Sequence, residues 1–319
     1  MVQTAKPVAG VRPAATTFVT GDFPRRRLLI LALSSLAGFL LTVVWSAEFV
    51  DQTIGDNVAD SMLGHHAKGT PIAGIMAGFA FAFATGVAGT FTACNVAVFG
   101  ALAPLVGQPT TARGRMLQVV KPLAWLSAGM LTVSAAYGVI VGLVGTHMPQ
   151  FSTATARTGF SPRMVQSMVV FGLIGLVMIA LGLAALGLIP DPMARITARF
   201  PNAPMILMGV LIGGFLIGRP FGLFRQMFRD AAESHNPFYG ALAFALQSLG
   251  NIVIMAVLFL LMALIAGPCL QRWIAAKPGR AATLVAVAFL VAGVFTLLYW
   301  DVRILARREM IWYPVAPWA

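Results

Sequence analysis

The stretch Gly86–Gly100, GVAGTFTACNVAVFG, places Thr92, Cys94 and Asn95 in the middle of an otherwise apolar run. That run extends from Pro71 to about Val106, too long for one straight bilayer crossing of roughly 20 residues. The segment is therefore bent, or its helix is interrupted at the polar residues. An interruption at that depth is tolerated only where the freed backbone groups line protein or water instead of lipid.

The rest of the composition agrees with a chain that lives in a bilayer. Its 319 residues are 59% hydrophobic and 10% charged, with a mean hydropathy of +0.85. That much apolar surface cannot be hidden inside a soluble core, so the sequence reads as a polytopic membrane protein. A formal charge of +12 comes from 22 Lys and Arg against 10 Asp and Glu. The basic residues are scattered between apolar runs with no basic stripe or aromatic platform, which fits headgroup contacts and orientation signals, not nucleic acid.

Seven apolar runs have spanning length: about 27 to 48, 71 to 106, 119 to 146, 165 to 189, 203 to 224, 237 to 267 and 281 to 300. Residues 1 to 26 form a flexible tail rich in Pro, Ala and Thr that lacks the run and cleavage site of a signal peptide. The connection at 49 to 70 holds Asp51, Asp56, Asp60, His65 and His66 with a single Lys68, and reads as an external loop. Adjacent histidines without a third fixed ligand are weak metal ligands, and no metal or cofactor is expected.

Orientation follows from the distribution of Lys and Arg. The side of the N-terminus receives 13: Lys6, Arg12, Arg25, Arg26, Arg27, Arg113, Arg115, Lys121, Arg195, Arg199, Arg272, Lys277 and Arg280. The other side receives eight: Lys68, Arg157, Arg163, Arg225, Arg229, Arg303, Arg307 and Arg308. The excess places the N-terminus in the cytoplasm and the C-terminus outside an inner membrane. The tail 301–319, with WYPVAPW at Trp312–Trp318, then lies at the external interface where amphipathic rings settle.

After the helix at 27–48, six runs divide into two sets of three, 71–189 and 203–300, each led by an interrupted segment. The first break is at Cys94 and the second is at Gly218, Arg219 and Pro220. With one crossing per run the two leading segments enter from opposite sides, the pattern of an inverted-topology repeat whose broken helices meet near the midplane. The expected fold is all-α and integral to the membrane: about seven transmembrane helices, one N-terminal helix plus two inverted three-helix repeats.

This arrangement, with TACNVAVFGALAPL at Thr92–Leu105, resembles the CcdA/DsbD type of cytochrome c biogenesis and thiol-disulfide carrier proteins. The resemblance covers about residues 71 to 300. It implies that Cys94 is a reactive thiol and that Pro104 echoes the prolines that follow the family's first Cys. It also implies a thiol protein, external or cytoplasmic, as partner, or a larger membrane complex. The sequence departs from the family in two places: Ala93 stands where a Pro commonly precedes the Cys, and the second break carries GRPFG at Gly218–Gly222 with no Cys between Pro204 and Pro268. Cys269 lies at the end of a different run. A carrier cycling one internal disulfide needs two thiols within bonding distance, so Cys94 would exchange with a partner's thiol.

Other polar residues define a candidate cavity with Thr92, Cys94 and Asn95. Arg219, next to Pro220, lies about 21 Å along the helix from Met205 at 1.5 Å per residue, past the midplane but short of the surface. A charge there is costly at bilayer depth and faces a cavity or partner, or else snorkels outward. Gln247 and Asn251, four residues apart with Ser248 between them, share a helix face. They line the same cavity, or they join helices by hydrogen bonds. The segment RQMFRDAAESHNP, Arg225–Pro237, reads as an amphipathic turn steadied by Arg229 with Glu233, or as a docking surface. Three functions remain open: a thiol-redox or cytochrome-assembly component using Cys94, a small-solute (anion) exporter or channel using Arg219, and a non-catalytic subunit of a larger complex.

Overall fold

A computed structural model describes residues 18–19, 21–46, 48–68, 70–90, 112–152, 160–218 and 222–318. Among the described residues the chain is all helix and turn, without a strand. Helix α1 (Arg27–Val44) is followed by a π-helical stretch (Phe49–Asp56) that runs into α2 (Asn57–Leu63). Next come α3 (Ile75–Ala88), α4 (Ala112–Val144) and α5 (Pro162–Ala185). After the short α6 (Ala194–Arg199) come α7 (Ala203–Gly218), α8 (Gly222–Glu233) and α9 (Pro237–Ile265). The last are α10 (Gly267–Ala275) and α11 (Arg280–Leu297), extended by a π turn (Leu298–Val302) and by α12 (Arg303–Arg307).

Five helices are long and apolar enough to cross a membrane, and the pair α7 and α8, bent by 84°, makes a sixth if counted as one span. Of the expected run 71 to 106, the described part is the shorter apolar helix α3 and the turn to Thr90. Local chemistry sets several starts. Ser161 caps α5, and Asn236 Oδ1 accepts the N–H groups of Phe238 and Tyr239 at 3.0 and 3.2 Å to cap α9. A Pro follows each cap, where its missing N–H costs nothing. The expected loop at 49 to 70 is mostly helical up to Leu63 and ends at Gly64, φ +73°. Its Asp and Asn residues look like loop composition because in isolation their side chains bond nearby backbone groups and favour caps and turns.

The helices approach closely at glycines. A Cβ on Gly86 of α3 would lie under 3.0 Å from the carbonyl of Gln247 on α9, and one on Gly250 as close to the carbonyl of Phe83. The same holds for Gly209 of α7 against the carbonyl of Leu126 on α4, and for Gly129 against the carbonyl of Ile206. Such backbone contact is how apolar helices associate where lipid removes the hydrophobic drive. Gly138 meets Gly240 where α4 crosses α9, and Gly175 meets Gly293 where α5 crosses α11.

These pairs also fix direction. Phe79 meets Tyr239 and Gly86 meets Gln247, so α3 and α9 run parallel. Gly142 meets Asn236, Gly138 meets Gly240 and Ser134 meets Ser248, so α4 and α9 are antiparallel. Gly209 with Leu126 and Gly213 with Met130 make α4 and α7 parallel. Hence α3 and α7 point in opposite directions. Two apolar clusters fill the bundle. One gathers Leu126, Met178, Met208 and Phe289, and the other Phe81, Tyr137, Phe228 and Phe244. Helix α1 packs on α11, sets Ile30 and Leu31 against the first cluster and leaves Leu29, Leu33, Leu36 and Leu40 exposed, a face suited to lipid.

Candidate functional site

Helix α7 stops at Gly218, and a helix that stops inside a bundle leaves carbonyls without intrahelical donors. Here two side chains of α5 supply them. Gln166 Nε2 donates to the carbonyl of Ile217 at 2.9 Å, and Ser167 Oγ donates to that of Gly218 at 2.6 Å. Gln166 Nε2 also donates to the hydroxyl of Tyr137 on α4 at 2.9 Å, and that hydroxyl donates to Gln150 Oε1 at 2.6 Å. Tyr137, Gln150 and Ser167 are buried at 6%, 8% and 5% exposure. The aromatic rings of Phe228 and Phe244 sit edge-on to Tyr137.

Three segments, α4, the turn at Gln150 and α5, therefore converge on the end of α7, and their polar side chains are all neutral. It is also incomplete: among the described residues Gln150 Nε2 and Gln166 Oε1 are buried with no hydrogen-bond partner. One free donor and one free acceptor beside Tyr137 can hold a small polar molecule, water included, since buried amide groups left unpaired are costly.

Of the residues anticipated from sequence, Thr92, Cys94, Asn95, Arg219 and Pro220 lie outside the described residues. Gln247 and Asn251 do share a face and are buried at 3% and 7% exposure in the seam between α9 and its neighbours. Beside them Ser248 Oγ donates to Ser134 Oγ of α4 at 2.5 Å, and its contact with Gln247 Oε1 is 3.3 Å. Cys269 is exposed on α10. Sequence reasoning missed Tyr137, Gln150, Gln166 and Ser167. Their one visible signal was the polar pair Gln166-Ser167 at the start of an apolar run.

The segment after the break is a helix, not a turn. α8 buries Leu223, Phe224, Met227, Phe228, Ala231 and Ala232 and exposes Arg225, Arg229 and Glu233. The expected pairing of Arg229 with Glu233 does not form, because both side chains extend into open surroundings where such a pair gains little. Other bonds hold α8 instead: the Tyr239 hydroxyl donates to Asp230, and Gln226 Nε2 donates to the carbonyl of Thr70 at 2.5 Å.

In the connection before α3, Asp60 uses both oxygens locally. Oδ1 accepts the N–H of Ala67 at 2.7 Å, and Oδ2 lies 2.9 Å from His66 Nδ1. The Ala67 N–H, helped by His66, holds the Asp60 carboxyl below its ordinary pKa. Among the described residues no three His, Cys, Asp or Glu side chains gather as a metal site. No family model, curated protein or solved structure matches the chain.

Proposed function

We propose that residues 71–189 and 203–300 form two inverted three-helix halves, and that the protein passes reducing equivalents, or assists cytochrome c assembly, through Cys94. The observation that carries the proposal is the matched set of close approaches. Gly86 against Gln247 corresponds to Gly209 against Leu126, and Gly250 against Phe83 corresponds to Gly129 against Ile206. A two-fold relation that exchanges α3 with α7 and α4 with α9 generates both sets, and the opposite directions of α3 and α7 are what inversion requires. The protein sits in the inner membrane with its N-terminus cytoplasmic and its C-terminus external, in keeping with the Lys and Arg bias.

In that reading the Cys94 thiolate attacks a disulfide of a partner protein. One S–S bond forms as another breaks, the partner's second sulfur leaves as thiolate, and a further thiol on a partner releases Cys94 reduced. The test uses a Cys269→Ser background, so that Cys94 is the sole thiol. Trapping of a mixed disulfide in membranes, lost in Cys94→Ser, is expected. A Cys94 that neither alkylates nor forms a mixed disulfide refutes the redox role.

The unpaired donor and acceptor beside Tyr137 favour a second reading, passage of a small polar solute or anion past the end of α7 with Arg219 as the selecting charge. Under it, Arg219→Lys impairs flux into proteoliposomes while Cys94→Ala does not. Unchanged flux in the Arg219 variant removes this reading and leaves the first.

A further inference from the structure

The C-terminal end of α1 is fastened by a charge that has no counter-charge among the described residues. Arg303, 2% exposed, donates from Nη1 to the carbonyls of Thr42 and Trp45 at 2.9 and 3.1 Å, the last acceptors of α1. Its guanidinium lies 5.0 Å from the ring centre of Tyr299, and its Nε is buried without a partner. No carboxylate reaches ion-pair distance of Arg303 among the described residues. Asp301, two residues earlier, turns toward Gly172 of α5 instead. The negative end of the α1 dipole offsets only part of a full charge.

Arg303 also lines a cavity of about 540 Å³ with Arg307, Glu309, Ile311, Trp312 and Tyr313. The tail forms its far wall because it turns back onto α1: the Tyr313 hydroxyl bonds Thr42 Oγ1, and the Ala316 N–H donates to the carbonyl of Val43 at 3.0 Å. Trp312, part of the lining, remains 85% exposed.

We propose that this cavity binds an anionic phosphate, that of a lipid headgroup at the membrane interface. Two guanidiniums face one carboxylate, so the cavity carries a net positive charge, and the planar guanidinium fork matches phosphate oxygens. The exposed Ile311 and Trp312 offer an apolar ledge to acyl chains at the level where Trp gathers in membranes. The phosphate neutralises a buried Arg whose charge meets no carboxylate among the described residues.

The test measures retention of phosphatidylglycerol by the full-length protein in mild detergent, using native mass spectrometry, with phosphatidylcholine and inorganic phosphate as the other arms. Arg307 carries the substitution because loss of Arg303 also uncaps α1. Arg307→Gln is expected to weaken phosphatidylglycerol binding about fivefold, and Glu309→Gln to strengthen it by about the same factor, the worth of one charge near a headgroup. Melting without lipid should not change in either variant. Displacement of phosphatidylglycerol by millimolar inorganic phosphate retains the phosphate site and assigns it to a soluble anion; no displacement assigns it to the headgroup. Equal retention of phosphatidylcholine and phosphatidylglycerol, or an Arg307→Gln variant that binds as the parent does, overturns the proposal.

Discussion

Helices α3 and α7 make matched backbone approaches to α9 and α4, yet α5 and α11, which meet at Gly175 and Gly293, carry different chemistry. In α5, Gln166 and Ser167 reach the free carbonyls at the end of α7. Setting Gly175 of α5 opposite Gly293 of α11, the corresponding residues are Leu284 and Val285, which offer no donor. The comparison separates two properties. Close helix packing needs only small residues at the crossing points and recurs where α3 meets α9 and where α7 meets α4, whereas bracing a stopped helix needs donors and is present at the end of α7. The end of α7 at Gly218 is thus a held helix end.

The comparison breaks most readily at the glycines. Gly86→Leu and Gly209→Leu each drive a side chain onto a neighbouring carbonyl, and both should lose monodisperse protein on size exclusion, at a cost at or above the roughly 1–3 kcal/mol of ordinary overpacking. Tolerance of one and not the other would count against the proposed two-fold relation. A smaller effect is expected at the braced end. Ser167→Ala leaves the Gly218 carbonyl without its donor, costs about 1–3 kcal/mol, and speeds hydrogen exchange in the last turn of α7. Val285→Ala should leave exchange there unchanged, and equal acceleration by both would remove the asymmetry. The smallest effect belongs to the seam where α4 crosses α9. Ser248→Ala and Ser134→Ala should each shift stability by about 0.6 kcal/mol, with the double variant no worse than either, as one shared hydrogen bond requires.

Much of the fold was legible in the sequence because lipid imposes a length and a polarity on every crossing. The runs at 27 to 48, 165 to 189 and 237 to 267 correspond to α1, α5 and α9, and Gly218 is where α7 stops. The helix over 57–63 was not legible, since its stability comes from contacts such as Asp60 with Ala67 and from packing on α3, not from an apolar period. The polar cluster was hidden for a related reason: Tyr137, Gln150, Gln166 and Ser167 come from three separate segments, and their meeting depends on how those segments cross. Arg303 counted in the sequence as one more external charge. It does lie beyond the end of α11, but its side chain is buried.

The fastening of α1 has a consequence in time. The bond from Arg303 to the Thr42 carbonyl joins residues 261 positions apart. At roughly 5–20 residues per second of synthesis, α1 waits on the order of 10–50 s between entering the bilayer and receiving its clasp. During that interval its exposed leucines have only lipid, or an insertion chaperone, as company. The first helix made is among the last to be secured, so slowing translation late in the message should prolong the period in which α1 is open to proteolysis.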